Sequence, residues 1–220
     1  MHKIHANGSS SNKNEVAAVV LAAGAARRFG KPKQLERWPS TGPTLLEYAL
    51  LNAQACATSE IIVVTGNAAE QVTELCQNFS VTHLHPTLKI ITVYNPRWAE
   101  GQGFSVATGV QRLEESVAAA IFFLADQPRL AMSTGQALVA TFHNTSTEWE
   151  RSIIFPIFSA KRGNPVLFGR AHFAALARLE GDVGGRAVVK ANPECVHEIE
   201  VNDPAIHEDI DTPQDLLDLS

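Results

Sequence analysis

The chain has 220 residues, 45% hydrophobic and 19% charged, with a formal net charge of −5 at pH 7. That length fits a single α/β domain, the composition excludes wholesale disorder, and the acidic balance argues against a general nucleic-acid binder. Three widely spaced cysteines, Cys56, Cys76 and Cys195, make no C-x-x-C pair, which predicts a reducing compartment and no structural metal. Residues 1–14, MHKIHANGSSSNKN, lack the apolar core of a signal peptide and read as a disordered tail, His2 and His5 included. No apolar run approaches the roughly 20 residues that span a bilayer, so a cytoplasmic protein without membrane contact is expected. The remainder, 15–220, reads as one domain. Val16 to Leu21 is a short apolar run, read as a buried strand. Leu45 to Ala57 has helical spacing, with Pro43 and Thr44 suited to its start. A second strand, Glu60 to Thr65, ends at Gly66-Asn67, and a helix follows over Ala68 to Asn78. A third strand covers Lys89 to Tyr94, then a helix from Ser105 to Leu113 and a fourth strand from Val117 to Leu124. Next come a helix over Thr134 to Phe142 and a strand over Ser152 to Ile157. The glycine-rich stretch 161–191 reads as an irregular lobe that closes one side of a cleft. A strand at Val196 to Val201 and a helix from Pro213 close the chain. This alternation predicts parallel strands with right-handed crossovers, and ligands at their carboxyl ends.

The first strand runs into Ala22-Ala23-Gly24 and then into Arg27, Arg28, Gly30, Lys31 and Lys33. Small residues let backbone N–H groups approach a ligand, and the four cations suit phosphate oxygens. Taken alone, the same stretch is more readily a solvated turn after an edge strand. Pro32 after Gly30-Lys31 rules out a Walker A loop, and the glycine spacing rules out a dinucleotide fingerprint, which disfavours an oxidoreductase. Asp126 follows the fourth strand in LADQP, where a carboxylate could hold Mg²⁺ or simply close a turn. Asp209 and Asp211 are spaced i, i+2 in EDIDTPQDL and share a side if extended. Asp211 or Thr212 before Pro213 could also cap a helix.

Leu21, Ala22, Ala23, Gly24, Arg28, Gly30, Lys33 and Gln34 match an L-A-A-G-x-x-x-R-x-G-x-x-K-Q loop. The chain thereby resembles the nucleotidyltransferases of the molybdenum cofactor family, the MobA-like and MocA-type NTP transferases, and most of all its cytidylyltransferases. The stretch 95–109, NPRWAEGQGFSVATG, resembles the family's base- and ribose-contacting segment, with Phe104 and Val106 as departures. GNPVLFGR from Gly163, GDVGGR from Gly181 and the DIDTP ending are similar to three further family segments, so the resemblance runs from Val16 to Leu217. It implies an α/β three-layer, Rossmann-like (GT-A-like) fold with a mainly parallel sheet flanked by helices. It implies nucleotide contacts at Leu21, Ala22, Ala23, Gly24, Arg28, Lys33, Gly66, Asn95, Gly101, Gln102, Gly103 and Ser105. Metal ligands would be Asp126, Asp211 and Asp209, binding Mg²⁺, and Arg28, Lys33 and Asp126 would be catalytic. Gly163, Pro165, Asp182 and Arg186 would line the acceptor side.

The reaction implied is Mg²⁺-dependent transfer of CMP from CTP to molybdopterin-bound molybdenum cofactor, releasing pyrophosphate. Partners implied are CTP, a phosphorylated pterin-type acceptor, and a molybdoenzyme or its maturation factor. An isoprenoid or sugar phosphate as acceptor, and a non-catalytic cofactor carrier, are the competing readings. Ala23 stands where GTP-using members generally have glycine, which predicts CTP over GTP.

Overall fold

The computed structural model describes residues 15–24, 26, 28–145 and 147–218. The tail and Arg27, which the sequence reading counted among the loop cations, lie outside the described residues. Eight strands form one mixed sheet, ordered β3-β2-β1-β4-β7-β5-β6 with β8 paired to β5. The central strands β1 (Val16–Leu21) and β4 (Ala119–Leu124) are almost wholly buried, as expected of parallel strands covered on both faces. They pair in parallel, with Leu21 opposite Leu124. β2 (Glu60–Thr65) and β3 (Lys89–Tyr94) extend the parallel half of the sheet outward from β1.

Alternation along β1 divides the core into two layers. Val16, Ala18 and Val20 face α1 (Leu45–Cys56), α2 (Ala69–Thr82) and α4 (Met132–Asn144). Val19 faces α3 (Gln102–Gln111), α5 (Phe173–Leu176) and α6 (Arg186–Ala191). The result is the expected three-layer α/β arrangement. α1 starts where Pro43-Thr44 predicted. Thr44 accepts from the Glu47 N–H while the Glu47 carboxylate accepts from the Thr44 N–H, a complete capping box.

The sheet is mainly parallel, as expected, and its antiparallel part begins beyond β4. β5 (Ile153–Phe158) does not pair with β4. β7 (Val166–Gly169) lies between them, antiparallel to both, with Leu167 opposite Ile121 on one side and Ile154 on the other. The stretch taken as an irregular lobe therefore supplies an inner strand of the sheet. At four residues β7 is too short to show a period in the sequence, and its neighbours are a cis Asn164–Pro165 bond and the 3₁₀ turn Arg170–His172. A short hairpin through Ser159 and Ala160 joins β5 to β6 (Lys161–Arg162). β8 (Val196–Glu200) pairs in parallel with β5, and α7 (Pro213–Asp218) ends the described chain.

Candidate active site

The loops after β1, β2, β3 and β4 all leave from one end of the sheet, because those four strands are parallel. The loop after β1 turns across that end and is held from inside. Gln34, buried, donates from Nε2 to the Ala22 carbonyl at 3.2 Å and to the Asn67 carbonyl at 3.3 Å. Gly66 must be small: a Cβ there would lie 2.4 Å from Trp98 Cβ and 2.8 Å from the Ala23 carbonyl oxygen. Trp98 thus packs over Gly66 and also lines the cleft. At Gly24 an added Cβ would meet no atom of the described residues within 4 Å, its chain neighbours aside, so the described part of the loop leaves space there.

The C-terminal strap crosses the same end. The Ile210 N–H donates to the Asp126 carbonyl at 2.9 Å, and Ile210 is buried with Phe29 and Leu45. Asp203 fastens the strap upstream. Its Oδ2 accepts from Thr134 Oγ1 at 2.6 Å and from the Ala131 N–H at 3.0 Å. Thr212 Oγ1 accepts from the Asp215 N–H, while the Asp215 carboxylate accepts from the N–H groups of Asp211 and Thr212. These bonds hold the Asp215 carboxyl below the usual carboxylate range. Thr212 is therefore the cap foreseen for α7, which leaves the Asp211 side chain free for the cleft.

Lys33 Nζ sits between two carboxylates, 2.7 Å from Asp126 Oδ2 and 3.2 Å from Asp211 Oδ1, and donates to the Ile210 carbonyl at 2.6 Å. Burial works against its charge, but Asp126 first and then Asp211 outweigh it, and its pKa lies above that of a free lysine. Arg28 Nη2 reaches Asp211 Oδ2 at 2.6 Å. Asp209 Oδ1 accepts from Gln127 Nε2 at 2.8 Å. Partial withdrawal from water, then the charges of Asp126 and Asp211, push the Asp209 carboxyl up to about 6 against the pull of Gln127 and Lys33.

Among the described residues no group of three or more His, Cys, Asp or Glu side chains is arranged as a ready-made metal cage. The donor chemistry nevertheless fits a hard divalent cation. Carboxylate oxygens from Asp126, Asp209 and Asp211 line one cavity, and buried Asp126 Oδ1 has no hydrogen-bond partner.

Two cavities flank this cluster. One, of about 500 Å³, is walled by Ala23, Gly24, Arg28, Lys33, Gly101 and Ser105, with Asp126 and Asp211 at its base. The other, of about 850 Å³, is floored by Phe122, Phe155 and Phe168 and walled by Gly163, Asp182 and Arg186. They meet at Leu21, Gln102, Leu124, Asp182 and Asp209, residues common to both. Most residues named from the sequence thus come together at one place.

The exceptions act from behind the walls. Ala22 is buried beneath the loop, and Gly66 lies under Trp98. Asn95 donates from Nδ2 to Ser105 Oγ at 3.0 Å in the interior, and Pro165 is buried at the start of β7. Gly103 makes room for the Glu180 and Gly181 carbonyl oxygens, 2.7 and 2.8 Å from an added Cβ. α3 begins at Gln102 rather than Ser105, because Gly101 at φ +133° supplies the non-helical entry. Ser105 is accordingly not a cap. The departure at Phe104 falls outside both cavities, where the Arg97 guanidinium stacks 3.6 Å above its ring. Gln127, which orients Asp209, was overlooked as a site residue, although it stands beside Asp126 in the LADQP run.

The profile of the MobA-like NTP transferase domain matches residues 18–196. The chain belongs to the MobA-like NTP transferase family. Purine catabolism protein PucB of Bacillus subtilis (strain 168) is 29% identical to it over 200 residues, 90% of this chain and 92% of that protein. The crystal structure of Rv0371c from Mycobacterium tuberculosis H37Rv superposes with a TM-score of 0.73 at 27% identity, covering 93% of this chain and 97% of that one. Rv0371C in complex with manganese superposes with a TM-score of 0.69 at 26% identity, over 93% and 97% of the two chains. For this MobA-like NTP transferase, the family implies a nucleoside triphosphate as substrate. No helix among the described residues is long and apolar enough to cross a membrane.

Proposed function

We propose that this MobA-like NTP transferase moves CMP from CTP to a phosphorylated pterin-type acceptor, the molybdenum-bearing cofactor, and releases pyrophosphate. The observation that carries this reading is the meeting of two cavities beside Asp126. One is walled by a cationic loop and the other is larger and floored by aromatic rings. A nucleotide in the first and an acceptor in the second would present their phosphates to each other at Leu21, Leu124 and Asp209.

In the step proposed, an acceptor phosphate oxygen forms a bond to the α-phosphorus, and the bond from that phosphorus to the bridging oxygen breaks. The second ionisation of a phosphate monoester lies near pH 6, so the attacking oxygen is already anionic at neutral pH and no general base is needed. In keeping with this, no histidine among the described residues lines either cavity. Gly24 leaves the loop backbone approachable, and Arg28 and Lys33 offset charge gathering on the departing pyrophosphate. Asp126, Asp209 and Asp211 would hold Mg²⁺ or Mn²⁺, which supplies charge neutralisation across the reacting phosphates. Asp126 and Lys33 otherwise act by position, aligning nucleotide and acceptor for in-line displacement.

Pyrophosphate release from each of CTP, GTP, ATP and UTP with a phosphorylated molybdopterin acceptor tests the reading. Release from CTP well above the others is expected. Turnover only with an isoprenoid or sugar phosphate would reassign the acceptor. Tight binding without any release would leave a carrier.

A further inference from the structure

The larger cavity has uneven charge. Its acidic side chains, Asp182 and Asp209, lie where it meets the nucleotide cavity, whereas Arg162, Arg186 and Lys190 line the larger cavity alone. Arg162 is committed: its Nε lies 2.5 Å from Glu198 Oε1, and its guanidinium sits over the Phe155 ring. Arg186 and Lys190 are not. Among the described residues neither side chain makes an ion pair or a hydrogen bond, and they stand one turn apart on the same face of α6. Other described cations, Lys161 and Arg178, also lack a side-chain partner, but those line neither cavity. Two uncommitted cations on one helical face beside an aromatic floor form a place for an anion attached to a ring.

We propose that Arg186 and Lys190 bind a second anionic group of the acceptor, distinct from the phosphate that receives the nucleotidyl group. This deepens the proposed function and rests on it for the identity of the larger cavity as the acceptor site. The acceptor is then a flat heterocycle with two anionic groups. Its ring lies on Phe122 and Phe168, which meet edge to face at 5.7 Å. The reactive phosphate lies towards Asp209, and the second anion is held by α6. Lys190 is thereby a specificity-determining residue.

The test uses fluorescence titration of the full chain with two probes, pterin-6-carboxylate and the uncharged 6-hydroxymethylpterin. The carboxylate should bind at least tenfold more tightly. Replacing both cations, Arg186→Ala with Lys190→Ala, should erase that preference while the uncharged probe still binds. Both residues are exposed, so folding should survive, and Lys190→Arg should restore most of the effect in the single-site series. Arg28→Ala, at the nucleotide side, should leave the preference intact. The proposal is overturned if the two probes bind equally, if neither binds, if the double variant keeps the preference, or if Arg28→Ala abolishes it. None of these readings involves CTP turnover. Failure of transfer with an intact probe preference would therefore count against the proposed reaction and not against the α6 anion site.

Discussion

Lys33 Nζ and Asp126 Oδ2 lie 2.7 Å apart, joining the loop after β1 to the loop after β4 at the floor of the cleft. The pair brings the cation expected to meet phosphates against the carboxylate expected to meet a metal, and Asp211 completes the group from the C-terminal strap. Asp126→Asn keeps the shape and removes the charge. Turnover measured as pyrophosphate release should fall by about a hundredfold or more, the scale for losing one preorganised electrostatic group. Circular dichroism should show an unchanged fold. Near-normal turnover in saturating Mg²⁺ would reduce Asp126 to a turn residue.

Lys33→Ala leaves Asp126 and Asp211 facing each other without their shared cation. The pair is neither fully buried nor on the surface, with 14% of the Lys33 and 20% of the Asp126 side chain exposed. Denaturant unfolding without nucleotide should show a loss of about 1–3 kcal/mol, between surface and buried pairs. Calorimetric affinity for CTP should weaken more than affinity for cytidine. Equal effects on both ligands would take Lys33 out of the phosphate site.

Asp209 gives the cleft a pH dependence in metal-free protein. Its folded pKa is raised to about 6 from an ordinary value of 3.8, so between those values the folded state binds more protons than the unfolded state. Its contribution favours folding at low pH, is lost as pH rises through about 4 to 6, and remains as a penalty above that. In EDTA, Asp209→Asn should therefore raise Tm at pH 7.5, and the gain should vanish near pH 4. A gain that persists unchanged at pH 4 would mean that ionisation of Asp209 is not the cause.

Gly24 and Gly101 separate ligand contact from folding. A Cβ at Gly24 meets no atom of the described residues within 4 Å beyond its chain neighbours, so Gly24→Ala should leave Tm unchanged or slightly higher while lowering CTP affinity. At Gly101 φ is +133° and a Cβ would lie 2.2 Å from the Gly181 carbonyl carbon. Gly101→Ala should cost about 1–3 kcal/mol in strain and displacement, seen as a fall in Tm. If Gly24→Ala bound CTP as well as the native protein, the loop would not approach the nucleotide.

Ala23 is buried with its loop at the wall of the nucleotide cavity. Its methyl packs in the core layer with Val19 and Val64, so on the proposed reading it would act by holding the loop backbone too close for a purine, an effect worth about 1–3 kcal/mol, or roughly 10- to 200-fold. Ala23→Gly should relax a preference for CTP over GTP without reversing it, in side-by-side kinetics with one acceptor. Equal use of the two nucleotides by the native protein would sink this account of base choice.

Local chemistry alone made much of the fold legible. Val16 to Leu21 and Ala119 to Leu124 are apolar throughout because strands buried on both faces must be, and Thr44 with Glu47 marks a helix start through a bond that spans three residues. The loop from Leu21 to Gln34 and the DIDTP ending stood out through their resemblance to family segments, since taken alone the first also fits a solvated turn and the second a helix cap. What tertiary structure decided is the set of pairings between distant segments. β7 enters the sheet antiparallel because its four residues fit between β4 and β5, a placement with no local signal. Lys33 meets Asp211 across 178 positions of chain because Ile210 is buried against Phe29 and Leu45. Arg186 and Lys190 are left uncommitted only because no carboxylate among the described residues pairs with them. Periodicity and spacing report on neighbours within a turn or a strand, whereas these contacts depend on how separate elements share one core.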